Sequence, residues 1–366
     1  MLIYAGMLVI SVCFALLAVS SPPVRRVVFQ KSGRELVFYQ QNLLWFCTFL
    51  PLFLVSGLRY KIGVDYNSYA WIFKSITQLD QKTHVEIGYE WLNRLVGFFT
   101  VDYQFLFLLT TGIFLFFMAK GIRQQSANIP LSVFLFITLG YFFYSMNSIR
   151  HFIALSIYFF AIKYMKRQEF WKFLACILIA ATFHKIALIA IPLYFVLTRK
   201  FKFSYYAIIA LLLVVCAVFN RQIMNLIFSF VYQSYKGSVY NVYSFSVFNV
   251  LLSGLCTLLC IGYYEPLLKR NPSNIIYINA AFFMLLFYLF CGWIPTPTRI
   301  GHYGTILFIL LIPEVIACEK NPRIRRFYTV AIIAFGLAFL TVMLIQAQNP
   351  SIGLAPYQSV FTRTSL

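Results

Sequence analysis

The sequence predicts an all-α polytopic integral membrane protein of about 12 transmembrane helices. Three observations carry this. The 366 residues are 61% hydrophobic and only 11% charged, against roughly 25% charged in a soluble chain. Apolar runs long enough to span a bilayer recur between charged breaks along the whole length. Most of the 30 Lys and Arg fall in short loops that share one side once the runs are counted off, the pattern of basic cytoplasmic loops. No soluble fold buries this much apolar surface, so lipid must solvate it.

Taken in order, the runs are 2–20, 36–57, 103–119, 130–147, 151–166, 171–184, 186–198, 204–220, 246–264, 275–293, 302–318 and 327–346. The first has no basic stretch ahead of it. Its first charges, Arg25 and Arg26, follow it, which predicts an uncleaved span with an external N-terminus. The runs 171–184 and 186–198 are short and meet at His184-Lys185. Counting them as two keeps Arg199, Lys200 and Lys202 on the inner side; merging them would invert everything after. Twelve spans put both termini outside, and the chain reads as one membrane domain over 1–366.

The longest outer segment, 58–102, holds Asp65, Asp80, Glu86, Glu90 and Asp102. It ends in an amphipathic run, GYEWLNRLVGFF, suited to lying in the interface. A smaller outer loop, 220–245, is rich in Tyr and Asn. Both loops are expected to cap a site on the outer face.

The net charge of +20 reflects inner loops, and with no soluble basic domain no nucleic acid is expected. The 8 Cys lie mostly inside apolar runs and read as small buried residues. There is no GxSxG, no Gly-rich phosphate loop and no Asp pair or His/Asp/Glu metal set, so no cofactor and no metal are expected.

The informative residues are polar ones at the outer face. A charge near mid-bilayer costs about 2.5 kcal/mol or more, so such residues usually face a cavity. Arg59 and Lys61 end the second span beside Asp65; they form a ligand site or a pair that anchors a helix end. Glu86, Glu90 and Arg94 are spaced to share a helix face, with Glu90 and Arg94 better read as solvated. Arg150 and His151 interrupt apolar sequence at a turn with almost no loop, and a phosphate is a good partner for such an Arg. His184 and Lys185 lie between two short apolar segments, as in broken helices that frame ligand sites, unless His184 is a satisfied interior residue. Arg299, His302 and Tyr303 sit at the outer end of a later span, and Glu314 near its inner end is expected to cap it or pair with Lys320 or Arg323. Arg59, Lys61, Arg150, Lys185 and Arg299 together suit an anionic ligand.

These residues fall into motifs. Arg59, Gly63, Asp65, Tyr66 and Tyr69 form R-x3-G-x-D-Y-x2-Y; Glu86, Gly88 and Tyr89 form E-x-G-Y. Ile149–Ala154 reads IRH-x-IA and Phe183–Leu188 reads FHK-x-AL. In this order they resemble the EpsG-type branch of the Wzy O-antigen and exopolysaccharide polymerases. The resemblance covers most of the chain and is sharpest between 59 and 188. His151 stands where the family often has Gln, and Lys185 follows the histidine of its element.

The resemblance implies a helical fold similar to C-type lipid-to-glycan glycosyltransferases, in the bacterial cytoplasmic (inner) membrane with its active site on the outer, periplasmic side. It implies a polymerase that moves a growing glycan from polyprenyl pyrophosphate onto a carrier-linked repeat unit. The implied partners are the polyprenyl-pyrophosphate-linked oligosaccharide, the lipid bilayer and a chain-length regulator. Arg150, Asp65, His184 and Glu86 are then the catalytic candidates. Arg59, Lys61, Tyr66, Tyr69, His151, Lys185, Arg299 and His302 are the substrate-binding ones. Arg150 and Arg59 would hold the pyrophosphate and Asp65 or His184 the acceptor hydroxyl; Tyr66, Tyr69 and Trp71 would stack on sugars or anchor at the interface. The alternatives are a flippase or transporter of lipid-linked oligosaccharide, or an O-antigen ligase. A transporter should show two related halves, whereas the polar residues here concentrate in 57–188.

Overall fold

The computed structural model describes residues 1–22, 25–28, 35–38, 40–81, 83–201, 203–220, 222–223, 246–291, 297–347, 349 and 352–362. Helix α1 (Leu2–Ser20) is joined to α2 (Gln40–Gly57) through a short antiparallel ladder, β1 (Arg25–Val28) with β2 (Glu35–Phe38). There follow α3 (Tyr66–Thr77), α4 (Ile87–Phe99), α5 (Gln104–Gln125), α6 (Ile129–Thr138), α7 (Tyr141–Asn147), α8 (Ile149–Lys166) and α9 (Phe170–Phe183). A 3-10 turn, Lys185–Ile189, leads into α10 (Ala190–Leu197), then α11 (Phe203–Val218), α12 (Val247–Gly262), α13 (Tyr264–Arg270), α14 (Ile275–Phe290), α15 (Pro297–Thr305), α16 (Phe308–Cys318) and α17 (Pro322–Gln346).

Five helical stretches among the described residues are long and apolar enough to cross a bilayer: Leu2–Ser20, Gln104–Gln125, Pro272–Phe290, Pro297–Cys318 and Pro322–Gln346. Two bent pairs, α6 with α7 at 45° and α12 with α13 at 75°, bring the number to seven. The chain is therefore a polytopic helical membrane protein. The twelve runs of the sequence do not all meet that length and apolarity. The run 36–57 begins in β2, and its helix opens on Gln40, Gln41 and Asn42. Helix α8 carries Arg150, Lys163 and Lys166. Helices α9 and α11 have 14 and 16 residues. The outer loop 220–245 lies almost wholly outside the described residues.

The described chain separates into two compact units. The first comprises 1–160, 179–185 and 321–366. Here α1 packs along α2 and α6, and α5 also packs on α2. The segment after α2 is organised around Arg59, whose side chain is only 1% exposed. Its guanidinium donates to the carbonyls of Ser56, Ile62 (3.3 Å) and Met146 (3.3 Å) and to the Ser56 hydroxyl (3.0 Å), and lies over the Phe107 ring at 4.7 Å. Gln104 Nε2, at the start of α5, donates to the carbonyls of Gly57 and Arg59.

The stretch after α17 closes the same end of this unit. Ser359 bridges Arg59, the Tyr60 amide donates to Gln358 O (2.9 Å) and the Val360 amide to Leu58 O (2.8 Å). Gly63 has φ of +100° and donates to Gly353 O at 2.8 Å. A Cβ there would fall 2.8 Å from Met146 O, so only glycine fits that close approach. Tyr4 of α1 donates to Leu354 O at 2.7 Å.

In the second unit, residues 161–178 and 186–320, a buried Asn279 closes the end of α10. Its amide donates to Leu197 O (2.9 Å) and Arg199 O (2.8 Å), while its oxygen accepts from Tyr206 at 2.5 Å. Glu314 pairs with Arg270 at 3.0 Å, so its partner is on α13 and not Lys320 or Arg323. Lys166 stands over the Tyr277 ring at 4.5 Å.

The Arg59 arrangement makes a prediction. Arg59→Met strands three buried carbonyls and should destabilise the protein by about 3 kcal/mol. Thermal unfolding in detergent checks it, with membrane accumulation as a second readout. A residue that only bound ligand would leave both unchanged.

Candidate active site

One cluster in the first unit brings together side chains from three separate motifs. Glu86 stands at the N-cap of α4 with extended backbone (φ −69°, ψ 146°). Its carbonyl accepts from the Tyr89 and Glu90 amides, both at 3.0 Å, and so starts the helix. A residue at this position is not yet on the helix surface, so its side chain leaves the Glu90–Arg94 face. Glu90 and Arg94 pair at 3.0 Å on that face, and Arg94 reaches Asp80 at 3.6 Å.

The Glu86 carboxylate is shared. Oε2 accepts from Arg150 Nη1 in a short ion pair. Oε1 lies 3.1 Å from His184 Nδ1 and 3.4 Å from the Lys185 amide. Arg150 sits in the first turn of α8, directly after the non-helical Ser148. It also bonds Tyr69, and its guanidinium is 5.9 Å from the Tyr89 ring. His184 follows the last residue of α9, where the helix gives way to the 3-10 turn. The break expected at His184-Lys185 is thus present, and it frees a histidine and a backbone amide to meet Glu86.

The approach of α4 to the end of α9 depends on Gly88. A Cβ at that position would lie 2.9 Å from the Thr182 carbonyl oxygen, closer than real contacts allow. Any side chain would push Glu86 away from His184.

Burial alone would raise the Glu86 carboxyl. The His184 hydrogen bond and the Arg150 charge outweigh it and hold the group at about 2, below an ordinary 4.5. Glu86 is therefore an anion at neutral pH. In the neutral imidazole a carboxylate facing Nδ1 favours the proton there, and Nε2 is then the lone-pair nitrogen. Among the described residues Nε2 is enclosed and has no hydrogen-bond partner, and the His151 ring stands 5.3 Å away, nearly perpendicular. Arg150 Nε likewise has no partner among the described residues, and the side chain remains 26% exposed.

The other predicted residues fall elsewhere or play other parts. Arg59 is spent on carbonyls in the interior, as above. Tyr66 is buried, stacked on Phe107 at 4.7 Å, so its ring faces are covered by protein. Tyr69 is buried edge-on to Tyr89 and bonds Arg150, a supporting position and not an open stacking platform. His151 is 2% exposed behind His184. Asp65 is the N-cap of α3. Lys61 and Lys185 are exposed, Lys61 lying over the Tyr60 ring at 5.3 Å. Trp71 remains 60% exposed. Arg299 and His302 belong to α15 in the second unit.

The sequence reading did not give Tyr89 or Asn147 a place in the site. Tyr89 lies one helical turn after Glu86, the spacing that stacks it beneath Arg150. Asn147 accepts from the Val64 amide at 2.9 Å and donates to Ile352 O at 3.3 Å. No local pattern announces that role. Among the described residues no three His, Cys, Asp or Glu group as metal ligands.

A model of the EpsG family matches residues 42–359. The chain belongs to the EpsG family. No curated protein and no solved structure gave a significant match. Membership and the apolar helices together make this EpsG-family chain a multi-pass membrane protein of polysaccharide biosynthesis. The match contains the whole Glu86–Arg150–His184 cluster. The cluster gives the EpsG-family protein a cation, an anion and an oriented imidazole in contact.

The depressed carboxyl carries a pH signature. Its folded value lies below its ordinary one, so its stabilisation is present above about 4.5 and lost as pH falls toward 2. Thermal stability of the wild type should drop through that window, and Glu86→Gln, measured in the same detergent, should show a flatter profile there.

Proposed function

We propose that this protein is a Wzy-type polymerase of surface polysaccharide, and that the sharing of Glu86 between Arg150 and His184 is the core of its active site. In this reading the donor is a growing glycan on polyprenyl pyrophosphate and the acceptor is a carrier-linked repeat unit. A sugar hydroxyl of the acceptor attacks the anomeric carbon of the donor. The new glycosidic bond forms as the bond from that carbon to the pyrophosphate oxygen breaks. The electron pair leaves with the pyrophosphate and the hydroxyl proton goes to a base.

Arg150 meets the charge that develops on the leaving pyrophosphate, since a guanidinium contacts phosphate oxygens with two parallel donors. His184 Nε2, enclosed at rest, is uncovered as the substrates bind and takes the proton, with Glu86 orienting the ring and stabilising the imidazolium that forms. A carboxylate held near 2 is a poor base, so Glu86 serves as the positioning anion. Asp65, the other acceptor candidate, is not part of the cluster. No step calls for a metal ion. Helices α2, α8, α9, α10 and α11 bring the seven to the twelve passes, with the site on the outer leaflet of the inner membrane, a fold similar to C-type transferases and a chain-length regulator as partner.

The test is the surface-glycan profile of a strain lacking the gene, complemented with variants. Arg150→Ala should give glycan of a single repeat, with the ladder gone and membrane protein level unchanged. His184→Ala should slow extension by about a hundredfold or more, the range of a lost general base. A normal ladder from Arg150→Ala refutes the assignment. Loss of every repeat, with lipid-linked units trapped inside, would indicate a flippase.

A further inference from the structure

A groove in the first unit lies away from this cluster. It has a volume of 590 Å³ and runs between α2 and α5. Trp45, Phe46, Phe49 and Phe53 on α2 face Gly112 and Phe116 on α5. Gly112 keeps it open: a Cβ there meets only Phe53, at an ordinary 3.6 Å. Phe46 and Phe116 are 63% and 51% exposed, so the groove opens sideways toward lipid.

One end of the groove is cationic. Arg123 and Lys120 line it beside Asn42. Arg123 Nη2 donates to Asn42 Oδ1 at 2.6 Å, and Lys120 lies over the Phe116 ring at 4.6 Å. No carboxylate among the described residues pairs with either. This end is the start of α2 and the last turns of α5. The opposite ends of both helices, at Gly57 and Gln104, belong to the Arg59 region. An 18-residue helix such as α2 is about 27 Å long, so the basic pair lies a bilayer leaflet or more from that end. An exposed apolar channel alone would take any acyl chain. Two unpaired cations at one rim select the headgroup, because basic pockets between membrane helices on the cytoplasmic side attract anionic lipid.

We infer that this groove is a binding site for an anionic glycerophospholipid, its phosphate on Lys120 and Arg123 and an acyl chain along the aromatic wall. The site is independent of the polymerase reading, and neither cation touches the Glu86–Arg150–His184 cluster.

Native mass spectrometry of the full chain, released from detergent with added phosphatidylglycerol or phosphatidylcholine of equal chain length, tests this. The wild type should retain phosphatidylglycerol about thirtyfold better, as expected for two juxtamembrane cations. The double variant Lys120→Ala/Arg123→Ala should bring the two lipids to parity. Gly112→Leu fills the groove, improves helix propensity and should weaken both lipids equally without lowering thermal stability. Equal retention of both lipids by the wild type would overturn the inference. So would a double variant that keeps the preference, a Gly112→Leu variant that binds as before, or recovery of polyprenyl phosphate in place of phospholipid. Should the double variant fail to fold, the wild-type preference and Gly112→Leu decide.

Discussion

Burying a guanidinium removes its water, and Arg59 must recover those hydrogen bonds from the chain itself. It does so from three places: the last turn of α2, the loop that follows, and Met146 at the end of α7. The cost of leaving such donors unmet is large enough to fix all three segments together. Backbone that would otherwise be an irregular loop near the membrane is thereby satisfied, as an apolar surrounding demands. The segment 352–362 adds further partners, pairing Leu58 and Tyr60 with Val360 and Gln358.

The same arrangement reaches the functional cluster. Met146, which accepts from Arg59, and Asn147, which ties Val64 to Ile352, are the last residues of α7. Arg150 comes three residues later, in the first turn of α8. Its direction is thus set by hydrogen bonds between protein groups. Tyr69 belongs to α3, whose start follows the Gly63 turn, and it completes the support of Arg150. Arg59 and Arg150 therefore divide the labour. One is a positioning residue held by carbonyls, and the other keeps a quarter of its side chain in reach.

The membrane class was legible because composition and charge sidedness are global properties that no tertiary contact can reverse. The cluster was legible in part. Arg150 and His184 announced themselves as charge and ring in apolar sequence at helix breaks, where a bilayer tolerates them only with partners. What the sequence could not disclose was pairing across distance. Glu86 is 64 residues from Arg150 and 98 from His184, and its helical spacing pointed instead to Glu90 and Arg94. The N-cap geometry that redirects it is a matter of one residue's backbone angles. Arg59 shows the converse. A conspicuous charge in a motif looked like a ligand contact, yet it is surrounded by carbonyl oxygens, the Ser56 hydroxyl and a ring. The stretch after α17 carried no signal at all, because its role is made by backbone groups.

An unpaired Arg150 close to a membrane would be costly, so at rest Glu86 cancels it. That cancellation bears on how an anion would be drawn in. A paired Arg and Glu present little net field, and long-range attraction falls to the exposed Lys61 and Lys185, neither paired with a carboxylate among the described residues. A pyrophosphate that arrives then competes with Glu86 for the guanidinium, whose side chain is 26% exposed. That competition leaves Glu86 to His184, its remaining side-chain partner, and a proton arriving on Nε2 is stabilised by a carboxylate that Arg150 no longer fully neutralises. On the proposed reading, donor binding strengthens the base. Chemistry is then favoured once the pyrophosphate is seated, and an acceptor hydroxyl alone meets a weaker one.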